Sequence, residues 1–337
     1  MSDSTLLLVG TDVWVHAAHG YAITADFPIT EAMPTLLVGD ATLNELALRL
    51  KKVKRTQIPV PSKREWLVRE SGGISVAHGA YGTVIRSYCG SFAWDPTTVE
   101  NERLKSVAPI FISRGPSIST TRFNHSVLHG FVPQLLALRG EVVLHATCVL
   151  VDGRAFLFAG ASGMGKSTLA AGFARLGLTV FSEDVVRVQV ETGVPPLAHP
   201  SYPGARLRGN SFLLPSDKRT NALGRFGLPK HRVYVAASGV MQPPAALGAA
   251  FFLGNGRTVT PRYMPISQMQ AMKPFLQSSF IQALPKETRS RDAFARTIKL
   301  AASIPAYELR YRRSHEHFDS LLTNIVAFVR ALPRAGM

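Results

Sequence analysis

The 337-residue sequence has few cysteines, few acidic residues and no long apolar run. Its two cysteines, Cys89 and Cys148, are too few for a disulfide framework and lack metal-ligand spacing, so we expect buried free thiols rather than a redox pair. The longest apolar runs, such as Phe156–Ala159 and Leu247–Leu253, are far shorter than a bilayer span. The N-terminus carries no basic segment followed by a long apolar one. These absences predict a folded cytoplasmic protein with no membrane partner.

Acidic residues are scarce relative to basic ones, because 22 Asp and Glu stand against 38 Lys and Arg and leave a formal net charge of +16. Such an excess attracts nucleotides, acidic peptides, nucleic acid and anionic membranes, and it does not choose among them. The basic clusters contain no helix-turn-helix, zinc-finger or RNP pattern, so no specific nucleic-acid partner is predicted. For any single cluster, a solvated surface is the favoured interpretation.

The chain divides into two parts that differ in their residue patterns. Residues 1–105 contain short β-rich pieces between turns and predict a smaller β-rich N-terminal domain, whereas residues 106–337 predict an α/β domain. The strands expected in the first part are Thr5–Val9, Val13–His16, Tyr21–Ala25, Ile74–His78 and Gly82–Tyr88, with one helix at Glu45–Val53. In the second part we expect strands at Glu141–Val151, Ala155–Ala159, Thr179–Phe181, Asp184–Val190, Ala249–Leu253 and Ala306–Tyr311. The expected helices there are Asn124–Leu138, Leu169–Leu176, Gln268–Leu284, Ser290–Ile304 and Ser314–Leu332, and long loops are expected over Pro195–Ala237.

A glycine-rich segment, GASGMGKST, begins at Gly160 and satisfies the pattern G-x-x-x-x-G-K-[ST]. It lies between an apolar strand and a helix, which is the position that a phosphate-binding loop requires. The alternative, an ordinary glycine-rich turn, does not explain why Lys166 and Ser167 coincide with the correct flanks. The residues predicted to bind ATP are Gly160, Ser162, Gly163, Met164, Gly165, Lys166, Ser167 and Thr168.

A pair of carboxylates and a histidine accompany this loop. Glu183 and Asp184 follow the next strand, and a bend there would be needed to bring both toward the phosphates, because consecutive side chains of a strand point to opposite sides. One carboxylate would then hold Mg²⁺ and the other would accept a proton from an attacking hydroxyl. His145 lies on the strand before the loop and is as consistent with a packed core histidine as with a catalytic one. Glu183 paired with a surface arginine remains an alternative.

Together, His145 with the Asp152-Gly153 turn, the GASGMGKST loop and the SEDVV carboxylates resemble the catalytic domain of HPr kinase/phosphorylase. That family is similar in its P-loop to phosphoenolpyruvate carboxykinase and transfers phosphoryl groups from ATP to a serine hydroxyl. The resemblance implies an α/β fold with a mixed β-sheet and flanking helices. It also implies that His145, Lys166, Glu183 and Asp184 are catalytic, that Ser167 and Asp184 hold Mg²⁺, and that the chain self-associates. The match covers roughly residues 140–190.

The sequence departs from the bifunctional members of that family. Glu183-Asp184 stands where they have Asp-Asp, which leaves open which carboxylate is the base, and the R-G-x-G-I motif is absent. The chain is therefore most similar to the tailoring kinases of lasso-peptide clusters, whose N-terminal segment and later loop loosely resemble Tyr21–Pro28 and Tyr202–Leu207. Arg206 and Arg208 are candidates for triphosphate or acceptor contacts, or are solvated surface residues.

These observations predict an ATP- and Mg²⁺-dependent serine or threonine kinase. Its acceptor would be a peptide or small protein, such as a lasso-peptide precursor, and an acidic acceptor would suit the positive charge. A nucleotide-dependent switch without an acceptor and a small-molecule kinase are the alternatives.

Overall fold

The computed structural model describes residues 14–18, 21–25, 47–68, 74–80, 82–87, 89–94, 110–201, 204–208, 211, 213, 221–226, 228–234, 243–286 and 289–333. The predicted strand Thr5–Val9 lies outside the described residues. The same holds for Tyr202, Pro203 and the residues of Tyr21–Pro28 that follow Ala25.

Twenty strands and six α-helices are described. The strands are β1 Trp14–Ala18, β2 Tyr21–Ala25, β3 Ala47–Lys52, β4 Trp66–Val68, β5 Ile74–Gly79, β6 Gly82–Ser87, β7 Gly90–Trp94, β8 Ile110–Arg114, β9 Val142–Leu144, β10 Ala146–Val151, β11 Arg154–Ala159, β12 Thr179–Ser182, β13 Val186–Gln189, β14 Leu197–Ala198, β15 Gly204–Arg208, β16 Asn221–Phe226, β17 Leu228–Tyr234, β18 Ala245–Asn255, β19 Arg262–Ile266 and β20 Ala306–Tyr311. The helices are α1 Thr120–Ser126, α2 Val132–Leu138, α3 Lys166–Arg175, α4 Gln268–Ser278, α5 Arg291–Ser303 and α6 Phe318–Ala331. A π-helical turn, Val127–Phe131, joins α1 to α2, and short 3₁₀ turns occupy Arg55–Gln57, Lys63–Glu65 and Phe280–Ala283.

The first sheet has eight strands in the order β1-β2-β3-β8-β7-β6-β5-β4. Strand β3 pairs in parallel with β2 and β8, and the other neighbours are antiparallel. The helix expected at Glu45–Val53 is wrong, because Ala47–Lys52 is strand β3 and alternates buried Leu48 and Leu50 toward the core. Pairing on both edges outweighs the weak helical preference of leucine, lysine and arginine. Strand β8 belongs to this sheet although it lies beyond residue 105, so the proposed domain boundary stays a prediction.

The helical segment from Thr120 to Leu138 packs its apolar side against the first sheet. Phe123, Phe131 and Leu135 share a buried cluster with strand residues that include Ile23 and Phe92. The same cluster contains Val143, Val185 and Leu284 from the second half of the chain. The helix expected over Asn124–Leu138 is confirmed, except that its middle turn is π-helical. The segment therefore joins the first sheet to the strands that carry the predicted site.

The second sheet has nine strands and mixed pairing. Its main path is β12-β10-β11-β18-β14-β13-β9, while β20 pairs with β18 and β19. Strand β18 is parallel to β11 and β20, and β10 is antiparallel to β11 and β12. Helices α3 and α6 contribute to one buried cluster with these strands, and α4 and α5 contribute to another. A mixed sheet flanked by helices is the α/β architecture that the sequence predicts.

Two of the expected elements differ in an informative way. The strand expected over Glu141–Val151 is divided at His145 into β9 and β10, which pair with different partners. The segment Pro195–Ala237 is not loop alone, because it contains β14 and the antiparallel sheet β15-β17-β16. Among the described helices, none is long and apolar enough to cross a membrane.

Candidate functional site

The glycine-rich segment forms a tight loop between β11 and α3. Gly163 and Gly165 have φ angles of +84° and +97°, in the left-handed region that glycine adopts without strain. Gly165 is also the residue that caps the N-terminus of α3. Ala161, Ser162 and Gly163 are exposed, whereas Met164, Gly165, Ser167 and Thr168 are half-buried. The loop therefore presents its tip to solvent directly before a helix N-terminus, where backbone N–H groups favour anions.

Lys166 curls back over this loop. Its Nζ donates to the carbonyl oxygens of Gly160 at 2.7 Å and Ala161 at 3.4 Å, and the residue is buried. These bonds place the ammonium group at the mouth of the loop rather than in bulk solvent. A bound phosphate would therefore meet a positive charge that is already held in position.

Glu183 lies against the loop. Ser167 Oγ donates to Glu183 Oε1 at 2.5 Å, and Glu183 is only 1 % exposed. Its second oxygen, Oε2, is buried without a hydrogen-bond partner among the described residues. A buried carboxylate oxygen without a hydrogen bond lowers the stability of the fold unless a ligand binds it. The predicted metal ligands were Ser167 and Asp184, and the described contacts bring Glu183, not Asp184, to Ser167.

Asp184 points to a different set of residues. Its backbone is left-handed, with φ +72°, which is uncommon outside glycine and occurs most readily in Asn and Asp. This is the bend that the sequence required. Its Oδ1 lies 3.2 Å from His145 Nδ1, and its Oδ2 lies 3.8 Å from His129 Nδ1. The two consecutive carboxylates are thus divided between the glycine-rich loop and the histidines.

Strand pairing explains why His145 and Asp184 meet. Leu144 pairs with Val186 in β9 and β13, and Cys148 pairs with Ser182 in β10 and β12. The first segment changes partner between β9 and β10, and the second changes partner between β12 and β13. The break at His145 therefore faces the bend at Glu183–Val185. The backbone N–H of His145 donates to Ser278 O at the end of α4, at 2.6 Å. The position of His145 is therefore fixed from a third element.

Sequence reasoning missed His129. It is buried, comes from the π-helical turn, and stacks on His125 with ring centroids 4.4 Å apart. A spacing of four residues between two histidines in a predicted helix is the signal that was available. Helical periodicity predicts which side of the helix packs against the core. It does not predict that Asp184, from another element, lies beside His129.

Tyr311 and Arg313 were missed as well. Tyr311 Oη donates to Met164 O at 3.2 Å, and an Arg313 guanidinium nitrogen donates to Gly163 O at 2.7 Å. Burial raises the pKa of Tyr311 to about 12, although the positive charge of Arg313 opposes this shift, so the hydroxyl remains a donor at neutral pH. A Cβ added at Gly165 would lie 3.1 Å from Tyr311 Oη. These two side chains thus bind the carbonyl oxygens of two consecutive loop residues.

We expect the substitution Tyr311→Phe to weaken ATP binding while leaving the fold intact. A lost hydrogen bond of about 1 kcal/mol corresponds to an affinity lower by roughly fivefold. Tyr307→Phe is the matched control, because Tyr307 lies on the same strand and no described hydrogen bond joins it to the loop. Isothermal titration calorimetry with MgATP measures both variants. Equal dissociation constants for the two variants would contradict a role for the Tyr311 hydroxyl.

The residues present suit a magnesium–nucleotide complex. Among the described residues, no group of three or more His, Cys, Asp or Glu side chains gathers in a way that could hold a metal ion. Mg²⁺ bound to nucleotides needs no such group, because it takes one or two carboxylates together with phosphate oxygens and water. Glu183 and Ser167 would hold it here, and the buried Oε2 of Glu183 supplies a ligand atom. Lys166 and the loop would hold the phosphates.

Arg206 and Arg208 are the two residues predicted to contact triphosphate or acceptor. Arg206 and Arg208 lie on β15, and their side chains are outside the described residues. Their neighbour Leu207 is buried against Ala170 and Ala171 of α3. Strand β15 thus runs beside the helix that follows the phosphate loop, and contacts from the two arginines to ATP or acceptor stay a prediction.

No protein-family model and no curated protein matches the sequence. Among solved structures, the chain is similar to the HPr(Ser) kinase/phosphatase from Coxiella burnetii at 12 % identity and a TM-score of 0.31. The alignment covers 56 % of this chain and 88 % of that chain. The functional assignment depends on the side-chain geometry and not on this likeness.

Proposed function

We propose that this protein is an ATP- and Mg²⁺-dependent kinase. It transfers the γ-phosphoryl group to a serine or threonine hydroxyl of a peptide or small protein, of the kind that a lasso-peptide precursor provides. The observation that carries the proposal is the division of two consecutive carboxylates. Glu183 receives the hydroxyl of Ser167 on the phosphate loop, and Asp184 lies beside His145.

Each residue has a separate task in this proposal. Lys166 would bind the outer phosphates as a point charge, and Ser167 and Glu183 would hold Mg²⁺, which would neutralise charge on the phosphate oxygens. We assign the metal to Glu183 rather than Asp184 because Glu183 is the carboxylate in contact with Ser167. Asp184 is then available as the general base. His145 holds Oδ1 of Asp184 toward the acceptor.

The transfer itself is an in-line displacement. Asp184 accepts the proton of the acceptor hydroxyl while the hydroxyl oxygen forms a bond to the γ-phosphorus. The bond between that phosphorus and the oxygen bridging it to the β-phosphate breaks, and ADP leaves. The net charge of +16 favours an acidic acceptor, because a positive surface raises the local concentration of anionic peptides.

The test uses MgATP labelled in its γ-phosphate and a synthetic glutamate-rich peptide that contains one serine. Label on this peptide, and none on the same peptide with alanine in place of serine, supports the proposal. Hydrolysis without transfer to any hydroxyl-bearing peptide or metabolite would favour the nucleotide-dependent switch. Label that moves only to a sugar or nucleoside would favour the small-molecule kinase.

The substitution Lys166→Met provides the inactive control. It removes the positive charge at the loop while keeping an unbranched side chain of similar length. Transfer that persisted in this variant would come from a contaminating kinase. Label on the serine peptide with the native chain alone is therefore the result that the proposal requires.

A further inference from the structure

Asp184 is contacted from two sides that differ in exposure. The side chain of His145, near Oδ1, is 42 % exposed, whereas that of His129, near Oδ2, is 3 % exposed. The Asp184 side chain is itself 11 % exposed, and its Oδ1, next to the more exposed His145, lies on the side nearer to solvent. His129 therefore lies beside the carboxylate on the side away from the acceptor.

The position of His129 depends on an irregular helix. In the turn Val127–Phe131 the N–H of Val132 bonds to Val127 O, five residues back, instead of four. Such a turn inserts one extra residue and changes the direction in which the following side chains point, and π-helical turns of this kind are frequent at functional sites. His125, one turn earlier, stacks on the ring of His129 at 4.4 Å. The imidazole is thus held on one side by a ring and lies against Asp184 on the other.

We propose that His129 is a positioning residue, which holds Oδ2 of Asp184 from the buried side so that Oδ1 faces His145 and the acceptor. The left-handed backbone at Asp184 does not by itself fix the side-chain rotamer. An imidazole 3.2 Å from Oδ1 and a second one 3.8 Å from Oδ2, which is longer than a hydrogen bond, restrict the carboxylate from two sides. The assignment of a reaction to Asp184 rests on the proposed kinase function. The geometric link from His129 through Asp184 to His145 is independent of that function.

Three substitutions separate geometry from packing. Asparagine places its amide nitrogen near the position of Nδ1, which is the atom that faces Asp184. Glutamine places its amide nitrogen near the position of Nε2, and leucine has similar bulk with no polar atom. We expect His129→Leu and His129→Gln to lower the turnover of MgATP, with water or the serine peptide as acceptor, by about 100-fold. His129→Asn should retain most of it, and KM for ATP should stay unchanged in all three.

A second readout needs no nucleotide. In protein labelled with ¹⁵N in its histidine rings, the His145 signal is identified by its absence in His145→Gln. We expect that signal to move in His129→Leu and to stay near its native position in His129→Asn. His199→Leu is the control, because His199 is equally buried but its described side-chain hydrogen bond is to Gln189. It should leave the His145 signal in place.

The outcomes decide the proposal in each case. An unmoved His145 signal in His129→Leu overturns it, as does equal turnover in the asparagine and glutamine variants. If the leucine variant does not fold, the asparagine and glutamine pair gives the same comparison with polar side chains. A native protein that transfers no phosphoryl group refutes the kinase function, while a His145 signal that still responds to His129→Leu supports the positioning role.

Discussion

Replacing Asp184 with asparagine is expected to reduce phosphoryl transfer by about 10³-fold, since removal of a general base typically costs between 10² and 10⁴. Asparagine has nearly the same shape as aspartate and tolerates the left-handed backbone at this position, where φ is +72°. The amide cannot accept the proton of the acceptor hydroxyl. ATP affinity should change little, because Ser167 contacts Glu183 instead. Steady-state kinetics with the serine peptide, together with calorimetric ATP binding, measures the two effects separately.

Asp152→Asn is the matched control for this prediction. Asp152 also has a left-handed backbone, with φ +49°, but it lies in the exposed turn between β10 and β11, next to Arg330. The same chemical change there should leave turnover at the native rate. If Asp184→Asn behaves like Asp152→Asn, then Asp184 is not the base and its assignment must be withdrawn.

Replacing Glu183 with glutamine should have opposite effects on stability and on nucleotide binding. A buried carboxylate with an oxygen that lacks a partner destabilises the fold, so the neutral amide is expected to raise the free energy of unfolding of the nucleotide-free protein by about 1–2 kcal/mol. The same change removes the charged metal ligand. At a ligand concentration of about 100 times Kd, MgATP stabilises the native protein by about 2.7 kcal/mol, and a 100-fold loss of affinity reduces this to about 0.4 kcal/mol.

Thermal unfolding with and without MgATP measures both effects. Glu141→Gln is the control. Glu141 directly precedes β9 and forms an ion pair with the largely buried Arg187 of β13. Removing that pair should lower the stability of the free protein and leave the stabilisation by MgATP unchanged. A Glu183→Gln variant that is destabilised and still responds fully to MgATP would show that Glu183 is a structural residue.

The conformation of the glycine-rich loop was predictable because its determinants are local. Two left-handed glycines, a lysine and a hydroxyl occur within eight residues, so the pattern of residues alone specifies the conformation. The need for a bend at Glu183 and Asp184 was predictable for the same reason, since alternation along a strand separates neighbouring side chains. Which carboxylate meets which partner was not predictable, because it depends on pairing between distant strands.

The parts that the sequence did not reveal depend on long-range contacts. Arg313 and Tyr311 reach the loop from about 150 residues further along the chain, and no periodicity connects the two segments. Helical periodicity predicts a regular helix over Asn124–Leu138, and it does not distinguish the π-helical turn that carries His129. The segment Ala47–Lys52 is predicted as a helix and is a strand. Both of its edges pair in parallel with strands that are distant in the sequence, so no nearby hairpin signals the strand.

The division of Glu183 and Asp184 between opposite partners restricts how this region can evolve in length. Inserting or deleting a single residue between β12 and β13 would change the backbone path of the bend, and with it the partner that each carboxylate reaches. Descendants of this chain that keep its activity should therefore vary in residue identity around the bend while preserving the residue count from Ser182 to Val186.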